Sequence, residues 1–356
     1  MTIAFYGAGM VAVSVYTAIK FLYPDCRTVA FIVSDKTGNP EEIDHIPVVS
    51  LDEFPEEKAK ILIAVPENHH AVIMKELEKR ERKDYVCIDS RRETVLMERY
   101  YEATGQFSSL HRFPAVQKES VGREISLSVY MVRFHKDMPL RNPGPAFDWL
   151  YPIQAGAALT ELSVAAIKDN VGEHISEKNG NYSELTALYW IWKNRGCREK
   201  GSDYLGLFHY RRVLDITQAD LQRIAACDID VVLPYPTVNY PSIEEHHRRY
   251  VKDRDWEAMV LALKELAAEY AKKMPEIFSQ PCFYNYNMLI ARKQIWNEFC
   301  SWLFPILKRV EELTVPRGWE RSDRYIGYLG ENLTTLFFLY HKEEWKIAHT
   351  GRLMLT

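Results

Sequence analysis

This 356-residue sequence lacks most of the direct pointers to function. Its six cysteines, at positions 26, 87, 197, 227, 282 and 300, form no CxxC and no other zinc-like spacing. So few thiols in so long a chain do not make a disulfide framework, and they read as reduced thiols of a cytoplasmic protein. There is no excess of positive charge. The formal net charge is -4, which speaks against a general nucleic-acid binder, because phosphate contacts need a basic surface. No apolar run reaches the roughly 18 residues of a membrane-spanning helix. The opening MTIAFYGAGM has no basic n-region and does not read as a signal peptide. Internal repeats and low-complexity segments are missing too. The apolar stretch from Phe299 to Leu307 contains Pro305 and is followed by Lys308 and Arg309. It reads as a core helix, with a membrane-surface helix as the alternative. What is present is ordinary globular composition, 47% hydrophobic and 26% charged, in a length that suits two domains.

The first 92 residues repeat a strand-then-helix rhythm. Strands are predicted at Thr2 to Tyr6, Thr28 to Val33, Ile61 to Val65 and Tyr85 to Ile88, and helices at Val11 to Leu22 and His70 to Arg80. Such alternation implies a parallel sheet with helical crossovers, a Rossmann-like α/β domain. A mixed segment over 93–122, with one helix near Glu93 to Tyr101, is read as a linker. A second α/β domain over 123–356 opens with a strand from Glu124. It continues with strands at Asp203 to Phe208 and Asp230 to Leu233. Helices are predicted at Tyr182 to Asn194, Trp256 to Lys273, Gln294 to Val310 and Glu331 to Tyr340.

In the first domain, Gly7-Ala8-Gly9-Met10-Val11-Ala12 fits G-x-G-x-x-A between a strand and a helix. Its glycines would permit a tight turn and bring a phosphate to the helix N-terminus. Asp35 closes the second strand, where a ribose-binding acid usually sits. Gly7, Gly9 and Asp35 are therefore candidates for binding a nucleotide, nucleotide sugar or NAD. The alternative is a Rossmann-like domain that uses its glycines only to turn. Gly9→Val is expected to damage this domain or its ligand binding while leaving donor binding by the second domain largely intact. No Tyr-x-x-x-Lys pair follows to carry out hydride chemistry.

In the second domain, the segment from Tyr204 to Phe208 is an apolar strand that ends abruptly in His209, Tyr210, Arg211 and Arg212. Ligands of open α/β sheets bind at the carboxyl ends of strands, and paired guanidinium groups suit a diphosphate. If the extended conformation continues, His209 and Arg211 share one face, and Tyr210 and Arg212 the other. The alternative is a surface basic corner paired with Asp203 or Asp215. Glu184 stands at the head of an apolar helical stripe. It reads either as the closing residue of a capping box begun by Asn181 or as a carboxylate facing a sugar hydroxyl. The run Glu245-His246-His247-Arg248-Arg249-Tyr250 suggests acid–base or metal work or else a solvated loop. Asp228-Ile229-Asp230 spells the D-x-D with which many glycosyltransferases hold a divalent cation. It precedes its strand rather than following one, and no metal ligand is assigned.

Several of these blocks together resemble one family, a domain of unknown function found in capsular and exopolysaccharide glycosyltransferases of bacteria. The matching pieces are Phe134-His135-Lys136, Tyr151 to Gly156, Ile175 to Asn179, Tyr182 to Asn194, Gly206 to Arg212 and Trp302 to Leu307, spread in order over roughly 124 to 345. The ELTALYWIWKN and HYRR blocks carry most of the resemblance. It implies a GT-A-like fold and transfer of a hexosyl unit, plausibly galactosyl or galactofuranosyl, from a nucleotide sugar to a growing surface polysaccharide or lipid-linked glycan. That places the enzyme in the cytoplasm or peripherally at the inner face of the membrane. On this reading His209, Tyr210, Arg211, Arg212, His135 and Lys136 hold the donor, and Asp169 and Asn170 contact its nucleoside. The cationic cluster replaces a divalent metal wholly or in part. Asp255, Glu331 and Glu184 are the candidates for the catalytic base. The rival readings are an NAD-dependent sugar oxidoreductase or epimerase working from the first domain, and a nucleotide-sugar-binding module without catalysis.

Overall fold

The structure is a computed structural model. It describes all residues except 55–57, 115–124, 141–143, 145 and 197–200, together with the side chain of Trp319. The expected strand at Glu124 and the end of the expected linker therefore begin outside the described residues. Two principal sheets form. The first contains β1 (Thr2–Tyr6), β2 (Arg27–Val33), β3 (Glu42–Ile43), β4 (Ile46–Ser50), β5 (Lys60–Ile63) and β6 (Tyr85–Cys87), in the order β3-β4-β2-β1-β5-β6. All its pairings are parallel except β3 with β4. Helices α1 (Met10–Leu22), α2 (His70–Lys79) and α3 (Ser90–Thr104) complete this half. The β3–β4 hairpin was not predicted. Its strands are short, and its tight turn rests on Asp44 (φ 53°) and His45 (φ 62°) rather than on glycine.

Gly7 is the residue that the first turn requires. Its φ is 124°, and a Cβ there would lie 2.7 Å from the Ala64 carbonyl oxygen. Gly9 is different: it caps α1 at φ -93° with nothing within 4 Å of a built Cβ. The expected intolerance of a side chain therefore belongs to Gly7, not to Gly9.

Among the described residues the second sheet has nine strands. These are β7 (Leu127–Arg133), β8 (Leu150–Gln154), β9 (Ile167–Lys168), β10 (Tyr204–His209), β11 (Arg212–Leu214), β12 (Val231–Pro234), β15 (Leu289–Arg292), β16 (Ile347–Thr350) and β17 (Arg352–Met354). The path runs β16-β12-β15-β10-β7-β8-β9, with β11 paired to β10 and β17 to β11. Strands β7, β8, β10 and β12 share one direction, and β15 runs against them. A small pair, β13 (Thr237–Val238) with β14 (Cys282–Phe283), lies apart.

Around the second sheet pack α4 (Asn179–Tyr182), α5 (Leu185–Ile191), α6 (Gln218–Ala226), α7 (Ile243–His246), α8 (Asp253–Leu266), α9 (Ala268–Phe278), α10 (Lys293–Leu313) and α11 (Tyr325–Tyr340). Trp296, Phe299, Leu303 and Leu307 of α10 are wholly buried against Leu333 and Phe337 of α11 and Met259 and Leu263 of α8. The segment from Phe299 to Leu307 is thus a core helix. Among the described residues no helix is long and apolar enough to cross a membrane. Two predicted helices are interrupted. The one over 182–194 breaks at Ser183 (φ 51°) and ends in a wide turn over Trp192–Gly196. The one over 256–273 breaks at Ala267.

The two sheets are joined by more than chain. Val238 donates its N–H to Ser14 Oγ of α1 at 2.8 Å, and Tyr101 of α3 donates its hydroxyl to the Pro236 carbonyl at 2.9 Å. Tyr235, Val238 and Cys282 belong to the same buried cluster as Phe5, Tyr16 and Tyr101. Arg352 of β17 pairs with Glu93 of α3 at 2.8 Å.

Candidate functional site

Strand β10 is buried from Tyr204 to Phe208 and emerges at His209. There the chain reverses. His209 pairs directly with Arg212, leaving Tyr210 and Arg211 as a two-residue hairpin tip. The extended continuation expected from the sequence does not occur, so the predicted division into two faces fails. The hairpin instead turns His209, Arg211 and Arg212 toward one cavity of about 300 Å3, a size at the lower end of small-ligand sites. Tyr210 lies under the Arg211 guanidinium, 5.0 Å from ring centre to charge, and is not part of the cavity wall.

The same cavity gathers Glu184 and Glu331, two of the three expected catalytic carboxylates. Convergence explains this. The carboxyl end of β10, the segment entering β15 and the start of α5 all meet at one edge of the sheet. The Glu184 carboxylate accepts from Asn287 Nδ2 at 2.7 Å, and Asn181 donates to the Gly318 carbonyl at 3.0 Å. Glu184 therefore closes no capping box. Glu331 accepts from the Tyr286 N–H at 3.1 Å. Burial, reinforced by the neighbouring Glu184 charge, pushes its carboxyl up to about 8, despite opposing contributions from Arg324 and Arg212. His209 Nε2 donates to the Tyr286 carbonyl at 2.5 Å, and burial holds its imidazole below the ordinary value.

The two arginines are uncompensated in a way their surroundings make costly. Among the described residues neither Arg211 nor Arg212 has an ion-pair partner, and Arg211 Nε is buried without a hydrogen bond. Arg212 lies 4.2 Å over the Tyr286 ring. Adjacent cations with unspent donors at a strand end form a site for an anion.

The wall also contains Tyr286 and Arg324, which sequence reasoning missed, with Asn287 next to Tyr286 in the chain and Ser183 bonded to Arg324, both outside the wall itself. Tyr286 (φ 74°), Asn287 (φ 50°), Ser183 (φ 51°) and Arg324 (φ 63°) all hold left-handed backbone. Strain of this kind in residues other than glycine gathers where a site over-determines the chain. Ser183 Oγ accepts from Arg324 Nε at 2.9 Å, tying two of them together. The available signal was the Tyr284-Asn285-Tyr286-Asn287 run ahead of a buried strand, since asparagine tolerates this conformation. His246 and His247 line the cavity as well, so their segment is not simply a solvated loop; Arg248 and Arg249 beside them are exposed.

Other expected site residues lie elsewhere. Asp255 is fully buried in a two-pronged pair with Arg321, at 2.8 and 2.6 Å, and lines no part of the cavity. Asp169, also fully buried, accepts from the N–H groups of Gly156 and Ala157 and from the Ser176 hydroxyl. It ties a loop and has no open face for a nucleoside. Asn170, with an unpartnered buried Oδ1, is its neighbour. His135 and Lys136 follow the end of β7, next to β10, but outside the cavity wall. Asp228 and Asp230 precede β12 at the opposite end of the sheet, where Arg292 holds both.

The glycine turn of the first sheet meets protein. Met10 at the start of α1 touches Thr237 and Asn285 through its sulfur. The cleft beyond β5 and β6, closed by Arg212, Tyr286, Arg352 and β17, retains about 30 Å3, roughly one water's share of liquid volume. Asp35 is exposed and accepts from the Thr37 N–H in a local turn.

Comparison with known proteins adds the relationship. No curated protein matches the chain. Among solved structures, the apo form of the WbbM bifunctional glycosyltransferase is similar, with a TM-score of 0.55 and 24% identity over 65% of this chain. The match spans 45% of that chain, and at this identity it establishes the fold. The expected α/β architecture holds, Rossmann-like in the first sheet and GT-A-like in the second. Residues 129–343 match the family described as a domain of unknown function, DUF4422. With more than half of its length covered, and with the hairpin, the paired glutamates and every residue lining the cavity except Met10 inside that span, the chain belongs to the DUF4422 family.

Proposed function

We propose that the cavity transfers a hexosyl unit from a nucleotide-sugar donor to a glycan hydroxyl, as a step in building a surface polysaccharide. One observation carries this reading: two arginines without ion-pair partners among the described residues face the same cavity as a carboxyl whose proton is held to about 8. The arginines suit the leaving diphosphate and the carboxyl suits the attacking hydroxyl. In the step itself, the acceptor oxygen forms a bond to the anomeric carbon while the bond from that carbon to the diphosphate oxygen breaks. The electron pair leaves with the diphosphate, where Arg211 and Arg212 stabilise the growing charge. The acceptor proton passes to Glu331. The Glu184 charge beside it raises its basicity. His209 is fixed in orientation by Tyr286 and supports the hairpin that presents both guanidiniums.

The similarity to the WbbM bifunctional glycosyltransferase supports the general class of reaction. The family resemblance supports a galactosyl or galactofuranosyl donor, an acceptor that is a growing or lipid-linked glycan, and work at the inner face of the membrane. Residues 1–92 and 123–356 are proposed as the two units, with the catalytic work in the second. The test is a thermal-shift panel of nucleotide sugars on the full chain, with and without manganese, followed by a transfer assay with each stabilising donor. A donor that stabilises the wild type and not Arg211→Ala supports the reading. Binding with neither hydrolysis nor transfer would instead identify a non-catalytic binding module.

A further inference from the structure

The cavity has further lining residues that the proposed reaction does not use. Asn239 follows β13 and is 2% exposed, yet neither its Nδ2 nor its Oδ1 has a partner. His246, at the end of α7, is 7% exposed with Nε2 unpartnered. Both line the cavity. An unsatisfied buried amide or imidazole is costly, and native proteins rarely leave one without a reason. Two of them lining one cavity form a set of donors and acceptors suited to a polar ligand. Burial, with the Arg249 and His247 charges, holds the His246 imidazole near 4, so it is neutral and offers one donor and one acceptor.

Two other lining residues are aromatic. Tyr250 and Tyr328 are paired, their ring centres 5.4 Å apart and tilted by 32°, and Tyr250 is 46% exposed. Tyr328 lies on α11, one turn before Glu331 and on the same face. A neutral ligand with several hydroxyls and an apolar ring face matches the chemistry: amide and imidazole for hydroxyls, tyrosine rings for C–H faces. A diphosphate does not match Asn239 and His246, because these unpartnered groups are neutral.

We infer that Asn239, His246 and the Tyr250–Tyr328 pair form the acceptor-sugar subsite, holding a glycan residue so that one of its hydroxyls faces Glu331. This rests on the glycosyltransferase reading of the same cavity.

The experiment is saturation-transfer NMR on the full chain with methyl β-galactoside and methyl β-glucoside, alone and with saturating uridine, guanosine or thymidine diphosphate. The expected result is transfer to at least one glycoside that persists when a nucleoside diphosphate is bound. Apparent affinity should fall about tenfold in Asn239→Ala and in His246→Leu, the scale of one lost hydrogen bond. His246→Gln should recover part of it, since an amide supplies a donor and an acceptor. Tyr250→Ala, at an exposed position, keeps the test valid if a buried variant lowers the melting temperature. No transfer to either glycoside, transfer unchanged in the variants, or displacement of the glycoside by the diphosphate would each overturn the assignment. Glycoside transfer that depends on His246 while no nucleoside diphosphate binds would uphold the sugar subsite and refute the donor reading, so the two failures are distinguishable.

Discussion

The carboxyl edges of the two sheets obey the same topological rule and come out differently. Parallel strands of an open α/β sheet present their carboxyl ends to ligands, and each sheet places a motif there. On the first sheet the motif is the glycine turn, and its ground is filled: Met10 contacts Thr237 and Asn285, Ser14 accepts from Val238, and β17 covers the cleft. On the second sheet the arginine hairpin opens onto about 300 Å3 lined by uncompensated charges and unpartnered polar atoms. A motif announces that a backbone turns in a given way. Whether a ligand uses the turn depends on what else packs there.

That contrast can be broken most directly at the open edge. Glu331→Gln is expected to lower turnover by about 10²- to 10⁴-fold, the range for loss of a general base, measured by steady-state transfer with the donor found by thermal shift. Arg211→Ala should cost roughly 10²-fold or more while leaving the melting curve in place, and Arg211→Lys should recover part of it, keeping the charge without the planar fork. Near-wild-type turnover in both Arg211→Ala and Arg212→Ala would refute the phosphate assignment.

Stability effects come next. Arg321→Met leaves the buried Asp255 charge to its longer contact with Arg254, at 3.7 Å, and should destabilise by up to about 3–5 kcal/mol, read by denaturant unfolding, with donor affinity of the folded fraction unchanged. A specific loss of turnover in an Asp255 variant of normal stability would restore Asp255 as a catalytic candidate. At the closed edge, Gly7→Ala forces a Cβ into the Ala64 carbonyl at positive φ and should cost at least roughly 1–3 kcal/mol. Gly9→Ala should be close to neutral. Loss of donor affinity in folded Gly7→Ala would show that the filled edge still serves the open one.

The smallest effect is a pH dependence. The Glu331 carboxyl is raised from 4.5 to about 8 on folding, so the folded state binds the extra proton between those values. Its contribution to stability is fully present below about 4.5 and is lost as pH rises through 8. The melting temperature of Glu331→Gln should therefore gain on the wild type between pH 6 and pH 9, by a few degrees. Turnover, which needs the ionised form, should climb over the same interval. A flat comparison would mean that the pocket does not hold the carboxyl protonated.

Some of this protein was written in local pattern. Strand β1, helix α1 and strand β10 follow from short-range hydrophobic periodicity, and their limits lie within a residue or so of those expected. The charged end of β10 was legible because an apolar run followed by His209-Tyr210-Arg211-Arg212 must leave the core where the charges begin. Glu184 and Glu331 could be named as carboxylates on helices, but nothing in the sequence chose them over Asp255. That choice needed the fold, since a carboxylate's role depends on its neighbour: Arg321 claims Asp255, whereas Asn287 and Tyr286 leave the two glutamates facing a cavity. Asn239 and Arg324 were out of reach, and His246 could be named only as one of a polar run, because their meaning lies in unpartnered atoms and in contacts with residues far away in the chain. By itself the sequence determined the most strongly patterned strands and helices and where charge leaves the core, for these are decided by neighbours a few positions apart. Only the tertiary structure decided which carboxyl is desolvated beside another and which glycine is indispensable. It alone decided which of two similar sheet edges is open, because burial, charge compensation and empty volume arise only where distant segments meet.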